Sequence, residues 1–325
     1  MTRDDLIEII EESRIFQHWH WFSWHFNHTL KGVPNLLADS IVDACLVCEN
    51  CIPGYAKRTI SIISSIGGRE KHLPDWEQLL QVLAELLVVS HVLGRKWEDS
   101  TTFESEPSVE KRGKNPEILV QNERITLAVE VKAPALFSHQ EDRAANPEQV
   151  AARFGSQDQI KQLLANPEKV TLPRDNPIKD FLISSESKFE QFQVKKNFVG
   201  VLVIVWDDFI YEPLSSLLHP GSGLLTENSF CKDADGKPIV FPSVGAVVLI
   251  RQLHQIVRAC RDEQLADGLV NPLQYSIPHG FPPKVLVANG VANQDLRQLE
   301  EIFEALAPDH KMGAEYTPKE LVWWM

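Results

Sequence analysis

The eight residues from Ile125 to Lys132 constrain this chain more than any others. Ile125, Leu127, Val129 and Val131 alternate with Thr126, Ala128, Glu130 and Lys132, a period of two that predicts a β-strand with one apolar face. Asn115-Pro116-Glu117-Ile118-Leu119-Val120 reads as a second short strand, and the polar residues Gln121 to Arg124 between them make a connection of hairpin length. Side chains two apart along a strand lie roughly 7 Å from each other. The Glu130 carboxylate and the Lys132 ammonium are therefore expected at one patch, with Glu117 on the neighbouring strand as a second carboxylate.

More sheet is predicted on either side. Trp97 to Pro107 supplies a first strand, and Phe198 to Trp206 is apolar on both faces, as a central strand is. Val244 to Ile250 and Lys284 to Ala288 extend the sheet. Helices are expected at about Asp75 to Leu93, Ser185 to Lys196, Gln252 to Ala266 and Gln294 to Leu306. The mixture predicts an α/β class.

The 325 residues suffice for one large or two ordinary domains, and 43% apolar with 24% charged residues is a globular balance. With 45 acidic against 32 basic residues the formal charge is −13, which disfavours nonspecific coating of nucleic acid. A local basic groove, a divalent cation or a partner subunit can offset that repulsion. Met1 to Asp5 carries no signal-peptide pattern, and the longest apolar run, Phe198 to Trp206, is too short to span a bilayer. A cytoplasmic location without a membrane partner is the expectation. No Walker loop, dinucleotide fingerprint or nucleophile elbow occurs in the sequence.

Two carboxylates and a backbone carbonyl offer hard oxygen ligands to Mg²⁺ or Mn²⁺ and leave positions for water and a phosphate oxygen. A lysine beside them activates the water or steadies charge on the phosphoryl oxygens. Glu85, on the helix from Asp75, stands among Val82, Val88, Val89 and Val92 at i−3, i+3, i+4 and i+7, where a carboxylate needs a cation or hydrogen bonds. The competing readings are a solvated outer face of an edge strand for Glu130 and Lys132, and plain exposure for Glu85.

Pro116-Glu117 followed by Glu130-Val131-Lys132 resembles the PD-(D/E)xK nuclease superfamily, over roughly Leu73 to Asp208. The resemblance implies a restriction-endonuclease-like fold with a mixed central sheet flanked by helices. It also implies Mg²⁺- or Mn²⁺-dependent phosphodiester cleavage, DNA above all, in defence against foreign or viral DNA. On that likeness Glu117 and Glu130 bind metal, Glu85 joins them from the first core helix, and Lys132 positions or activates the water. Lys188, Gln191 and Lys195 would touch phosphates from the helix before the central strand. Glu117 departs from the family's usual Asp. Glu186-Ser187-Lys188, Asp235-Gly236-Lys237 and Asp309-His310-Lys311 match the three letters without following a Pro-Glu strand.

The expected organisation is a helical lobe over 1–72 and a nuclease domain over 73–325, with an insertion at 133–180 and a C-terminal extension. The basic turn Lys111-Arg112-Gly113-Lys114 would hold a DNA phosphate near the metals, or be solvated; Lys114 is the cation nearest the site. His18, His20, His25 and His28 among Trp19, Trp21 and Trp24 suit a metal site, base stacking or an aromatic core. Cys45, Cys48 and Cys51 suit zinc, an iron–sulfur cluster or buried thiols. One helix, Glu148 to Leu164, is expected in the insertion, and Trp323-Trp324 is expected to anchor the tail in a groove or on a partner. The alternative to a nuclease is an inactive scaffold of the same build, serving as a nucleic-acid-binding or complex-assembly subunit. A homo-oligomer or a partner protein fits either reading.

Overall fold

The computed structural model describes residues 1–107, 114–135, 137, 141, 144–145, 148–150, 170–171, 175–207, 211–276, 284–308 and 323–324. In chain order the elements are α1 (Arg3–Glu11), α2 (Ser23–Leu30), α3 (Leu36–Cys51), α4 (Tyr55–Ser65), α5 (Leu73–Gly94), β1 (Thr102–Ser105), β2 (Ile118–Gln121) and β3 (Thr126–Lys132). There follow β4 (Glu148–Val150), β5 (Val170–Thr171), α6 (Asp175–Phe189), a 3₁₀ turn (Glu190–Phe192), β6 (Phe198–Trp206), α7 (Tyr211–Leu218) and β7 (Val244–Arg251). The last are α8 (Leu253–Cys260), β8 (Lys284–Ala288), α9 (Asn293–Phe303), β9 (Ala305–Leu306) and β10 (Trp323–Trp324). The class is α/β, with a seven-stranded mixed sheet and flanking helices.

The chain divides into two compact units. The first comprises Met1–Ala133, Val194–Phe198 and Gln252–Pro282, so it gathers the helices of 1–72 with α5 and the predicted hairpin. Helix α5 is its axis, packing on α3 and on β3. Pro74 at its first turn supplies a preset φ, and Leu79, Leu80, Leu83, Ala84, Leu86, Leu87, Val88 and Val89 bury it on nearly every side. By length and composition α5 is apolar enough to cross a membrane, which Phe198 to Trp206 is not; 61% of its most apolar window is buried inside the protein.

β1, β2 and β3 form an antiparallel run, with Ile118 opposite Val129 and Gln121 opposite Thr126. Asn122 closes the hairpin by accepting from the N–H groups of Arg124 (2.9 Å) and Ile125 (3.0 Å). The alternation of β3 does not produce one wet face. Thr126, Ala128 and Glu130 are as buried as Leu127 and Val129, because α5 covers the side that polarity alone would leave open.

The second unit comprises Pro134–Gln193, Val199–Arg251 and Pro283–Met325. In it β6 and β7 run parallel, β7 and β8 antiparallel, and β8 and β9 parallel. Strand β6 is buried on both faces from Val199 onward, as its composition predicts. A Cβ on Gly200 would lie 2.4 Å from the Ser243 carbonyl oxygen and 2.5 Å from the Phe189 ring, so this position admits only glycine.

Three expectations are corrected here. Helix α6 begins at Asp175 and ends at Phe189, ahead of the predicted Ser185 to Lys196, and Gln191 falls in the 3₁₀ turn. Glu148–Val150, expected to start a helix, is strand β4, which pairs with β5 and with Trp323-Trp324 of β10; the rest of that predicted helix lies outside the described residues. α8 stops at Cys260, six residues short of Ala266, where Arg261 bonds back to Val257 and Arg258.

Candidate active site

All four residues of the proposed centre lie in the first unit, on α5, before β2 and on β3. Glu130 is wholly buried and its Oε1 lies 2.6 Å from Lys132 Nζ, whose side chain is 21% exposed. A solvated edge-strand face is thereby excluded. Burial acts to lower the Lys132 pKa, but the charge and hydrogen bond of Glu130, with the charges of Glu117 and Glu85, outweigh it and hold it above the ordinary value. Lys132 is therefore an ammonium at neutral pH.

Glu117 sits one residue ahead of β2. Its N–H donates to the Val129 carbonyl (3.0 Å), and its carbonyl accepts from Glu106 N–H (2.9 Å) and the Ser105 hydroxyl (3.4 Å). Val129 is already the register partner of Ile118, so two residues face one there, the count of a β-bulge. The Arg58 guanidinium hydrogen-bonds Ser105, lies 3.6 Å from Glu106 and stands over the Tyr55 ring, 5.2 Å from its centroid. Burial, and after it Cys48, Cys45, Glu85 and Glu117, push the Tyr55 phenol well above its usual value, so it stays protonated beside the carboxylates. Neither Tyr55 nor Arg58 was visible from sequence, because α4 meets the site only through folding. The local signal for their placement is Glu49, whose carboxylate caps α4 through Gly54 N–H and Ala56 N–H, both at 2.9 Å.

Gln81 was also missed. One helical turn before Glu85, its Nε2 donates to Glu85 Oε1 (2.7 Å) and to the Val131 carbonyl (3.0 Å), while its Oε1 accepts from Ala133 N–H (2.7 Å). The amide thus fastens α5 to the end of β3 that carries Glu130 and Lys132. Glu85 is half-buried and hydrogen-bonded, not a lone charge among valines.

Three carboxylates and the Val131 carbonyl are the hard oxygens that Mg²⁺ or Mn²⁺ takes, so the donor chemistry fits such an ion. Among the described residues, however, no three His, Cys, Asp or Glu side chains already converge as a metal cage. The same finding covers the Cys/His lobe. Cys45 and Cys48 are buried with thiols driven far up by burial, and the Cys51 thiol is raised too and donates to the Leu93 carbonyl. His20 Nε2 meets the Ile63 carbonyl at 2.9 Å while its Nδ1 accepts from Phe22 N–H, and His25 and His28 bond the Cys260 and Trp24 carbonyls. Burial lowers the pKa of both His20 and His25. The lobe is an aromatic core with reduced cysteines.

Of the phosphate-contact candidates, Lys114 is exposed and Lys195 donates to Gln121 Oε1 (3.2 Å), both in the first unit. Lys195, Lys196, Asn197, Gln121, Asn122, Glu123 and Thr126 line an open polar notch of about 420 Å³. It lies at the Thr126 end of β3, about 20 Å from Lys132 at the rise of an extended strand. Lys188 and Gln191 belong to the second unit, where the Gln191 amide donates to the Lys188 carbonyl (3.2 Å). Glu186, in the decoy Glu186-Ser187-Lys188, accepts from Ser243 and Val244 at the start of β7. Lys111 to Gly113 lie outside the described residues. No protein-family model, curated protein or solved structure matches this chain, so geometry and chemistry alone carry the reading of the site.

Proposed function

We propose that this protein is a divalent-cation-dependent nuclease of restriction-endonuclease-like build that hydrolyses phosphodiester bonds, DNA above all. The observation that supports it most is the half-buried Lys132 ammonium, ion-paired to the buried Glu130 and under the charges of Glu117 and Glu85. Elements distant in sequence thus supply acidic oxygens and one cation to a single neighbourhood. Glu85, Glu117, Glu130 and the Val131 carbonyl would hold Mg²⁺ or Mn²⁺, which supplies a Lewis-acid charge and a bound water of lowered pKa. Lys132 offers its positive charge to the phosphoryl oxygens as negative charge builds there. The protonated Tyr55 phenol, buried near Glu85 and Glu117, is a further donor. Lys114, Lys195 and Lys196 give the first unit cations for a phosphate backbone, against a net charge of −13. Service in defence against foreign DNA is consistent with that chemistry.

The scaffold reading draws on a specific observation too, since Glu130 and Glu85 each already have an internal partner. Mn²⁺-dependent cleavage of duplex and single-stranded DNA and of RNA separates the two. The expected result is cutting by wild type that falls about 100-fold or more in Glu130→Gln and in Lys132→Met. Absence of cutting on every substrate, or equal cutting by folded variants, removes the enzyme.

A further inference from the structure

Three oxygens at the acidic centre are held by the protein's own donors. One nitrogen, Gln81 Nε2, donates to both Glu85 Oε1 (2.7 Å) and the Val131 carbonyl (3.0 Å), and Lys132 holds Glu130 Oε1 at 2.6 Å. Octahedral Mg²⁺ draws its ligands to about 2.0–2.1 Å, so neighbouring ligand oxygens sit about 3 Å apart. A trigonal amide gripping two acceptors at these lengths keeps them roughly 5 Å apart. The two oxygens cannot serve the amide and sit as adjacent ligands of one ion at the same time.

We propose that the Gln81 amide is a stand-in for the divalent cation. It hydrogen-bonds Glu85 and occupies the Val131 carbonyl in the cation-free protein, and it lets go when an ion gathers Glu85, Glu130 and that carbonyl. This inference rests on the reading of the centre as a divalent-cation site. Gln81 is then a positioning residue that competes with the ion and sets its affinity. The exchange also has a use, because an ion that takes Glu130 from Lys132 leaves the ammonium available to a substrate phosphate. The rival account, in which Gln81 preorganises Glu85 for the ion, predicts the opposite sign of effect.

The test uses Mn²⁺ itself on the full chain without substrate, with free ion followed by its electron paramagnetic resonance signal. Gln81→Leu and Gln81→Met keep a helix-forming side chain of similar size and remove the donor, so both are expected to bind Mn²⁺ roughly 3- to 10-fold more tightly than wild type. Equal or weaker binding overturns the proposal. A second measurement needs no stable variant. In wild type, the Gln81 side-chain amide resonance is expected to move towards that of a free amide as Mg²⁺ is added, and a resonance unmoved at saturation overturns the proposal. Wild type that binds neither ion at millimolar concentration removes the cation site itself, whereas tight binding with the wrong order of affinities removes only the role of Gln81.

Discussion

Replacing Lys132 by Met isolates the energetics of the centre from its chemistry. Met keeps most of the apolar stem and deletes the ammonium that lies 2.6 Å from a carboxylate with no solvent exposure. Removing one partner of a buried pair costs about 3–5 kcal/mol, since the remaining charge has lost its compensation. Against a total stability of about 5–15 kcal/mol this is a large fraction. Urea unfolding at pH 8 is therefore expected to show a deficit of about 3–5 kcal/mol. The wild-type lysine adds no pH dependence near neutrality. Its folded pKa lies above the ordinary 10.5, so its contribution is complete below that value and is lost only as pH rises through the folded value. Lys132→Met combined with Glu130→Gln is expected within about 2 kcal/mol of wild type, because neither charge remains. A deficit under 1 kcal/mol at pH 8, or a double variant as unstable as the single one, would refute the reasoning.

Three other outcomes follow from separate features. Burial pushes the Lys284 pKa down to about 8 against the pull of Glu304, so Lys284→Met is expected to stabilise by about 3 kcal/mol at pH 7; the gain should fade as pH rises from 8 to 10.5 and vanish above it. Thermal unfolding across that range checks the prediction. Gly200→Ala is expected to cost about 3 kcal/mol or to prevent folding, because the new methyl meets the backbone oxygen of Ser243; wild-type stability would show that this oxygen can move. Lys195→Glu with Lys196→Glu is expected to weaken duplex DNA binding and to flatten the logarithmic salt dependence by about 2, which fluorescence anisotropy at several salt concentrations measures. An unchanged slope would assign both lysines to solvent.

Much of the sheet and of α5 was legible in local pattern. β3, β6, β7 and β8 follow from runs of β-branched residues whose neighbours agree with them, and Glu117, Glu130 and Lys132 carried a spacing that brings them together on any hairpin. Their order along the chain determined that an acid and a lysine share a neighbourhood. It did not determine their environment. The polar side of β3 reads as a wet face until α5 covers it, and only that cover buries Glu130 and brings the Glu85 charge to bear on Lys132.

Gln81, Tyr55 and Arg58 had no signal of their own, since a glutamine on an apolar helix and a Tyr-x-x-Arg turn are unremarkable until tertiary packing supplies partners. The same holds for β4, where Glu148–Val150 takes strand pairing from Trp323-Trp324, more than 170 residues away. Periodicity and propensity act over a few residues, so they set which elements form. Hydrogen bonds and charge interactions act through space, so which carboxylate is satisfied by which donor was decided by the fold.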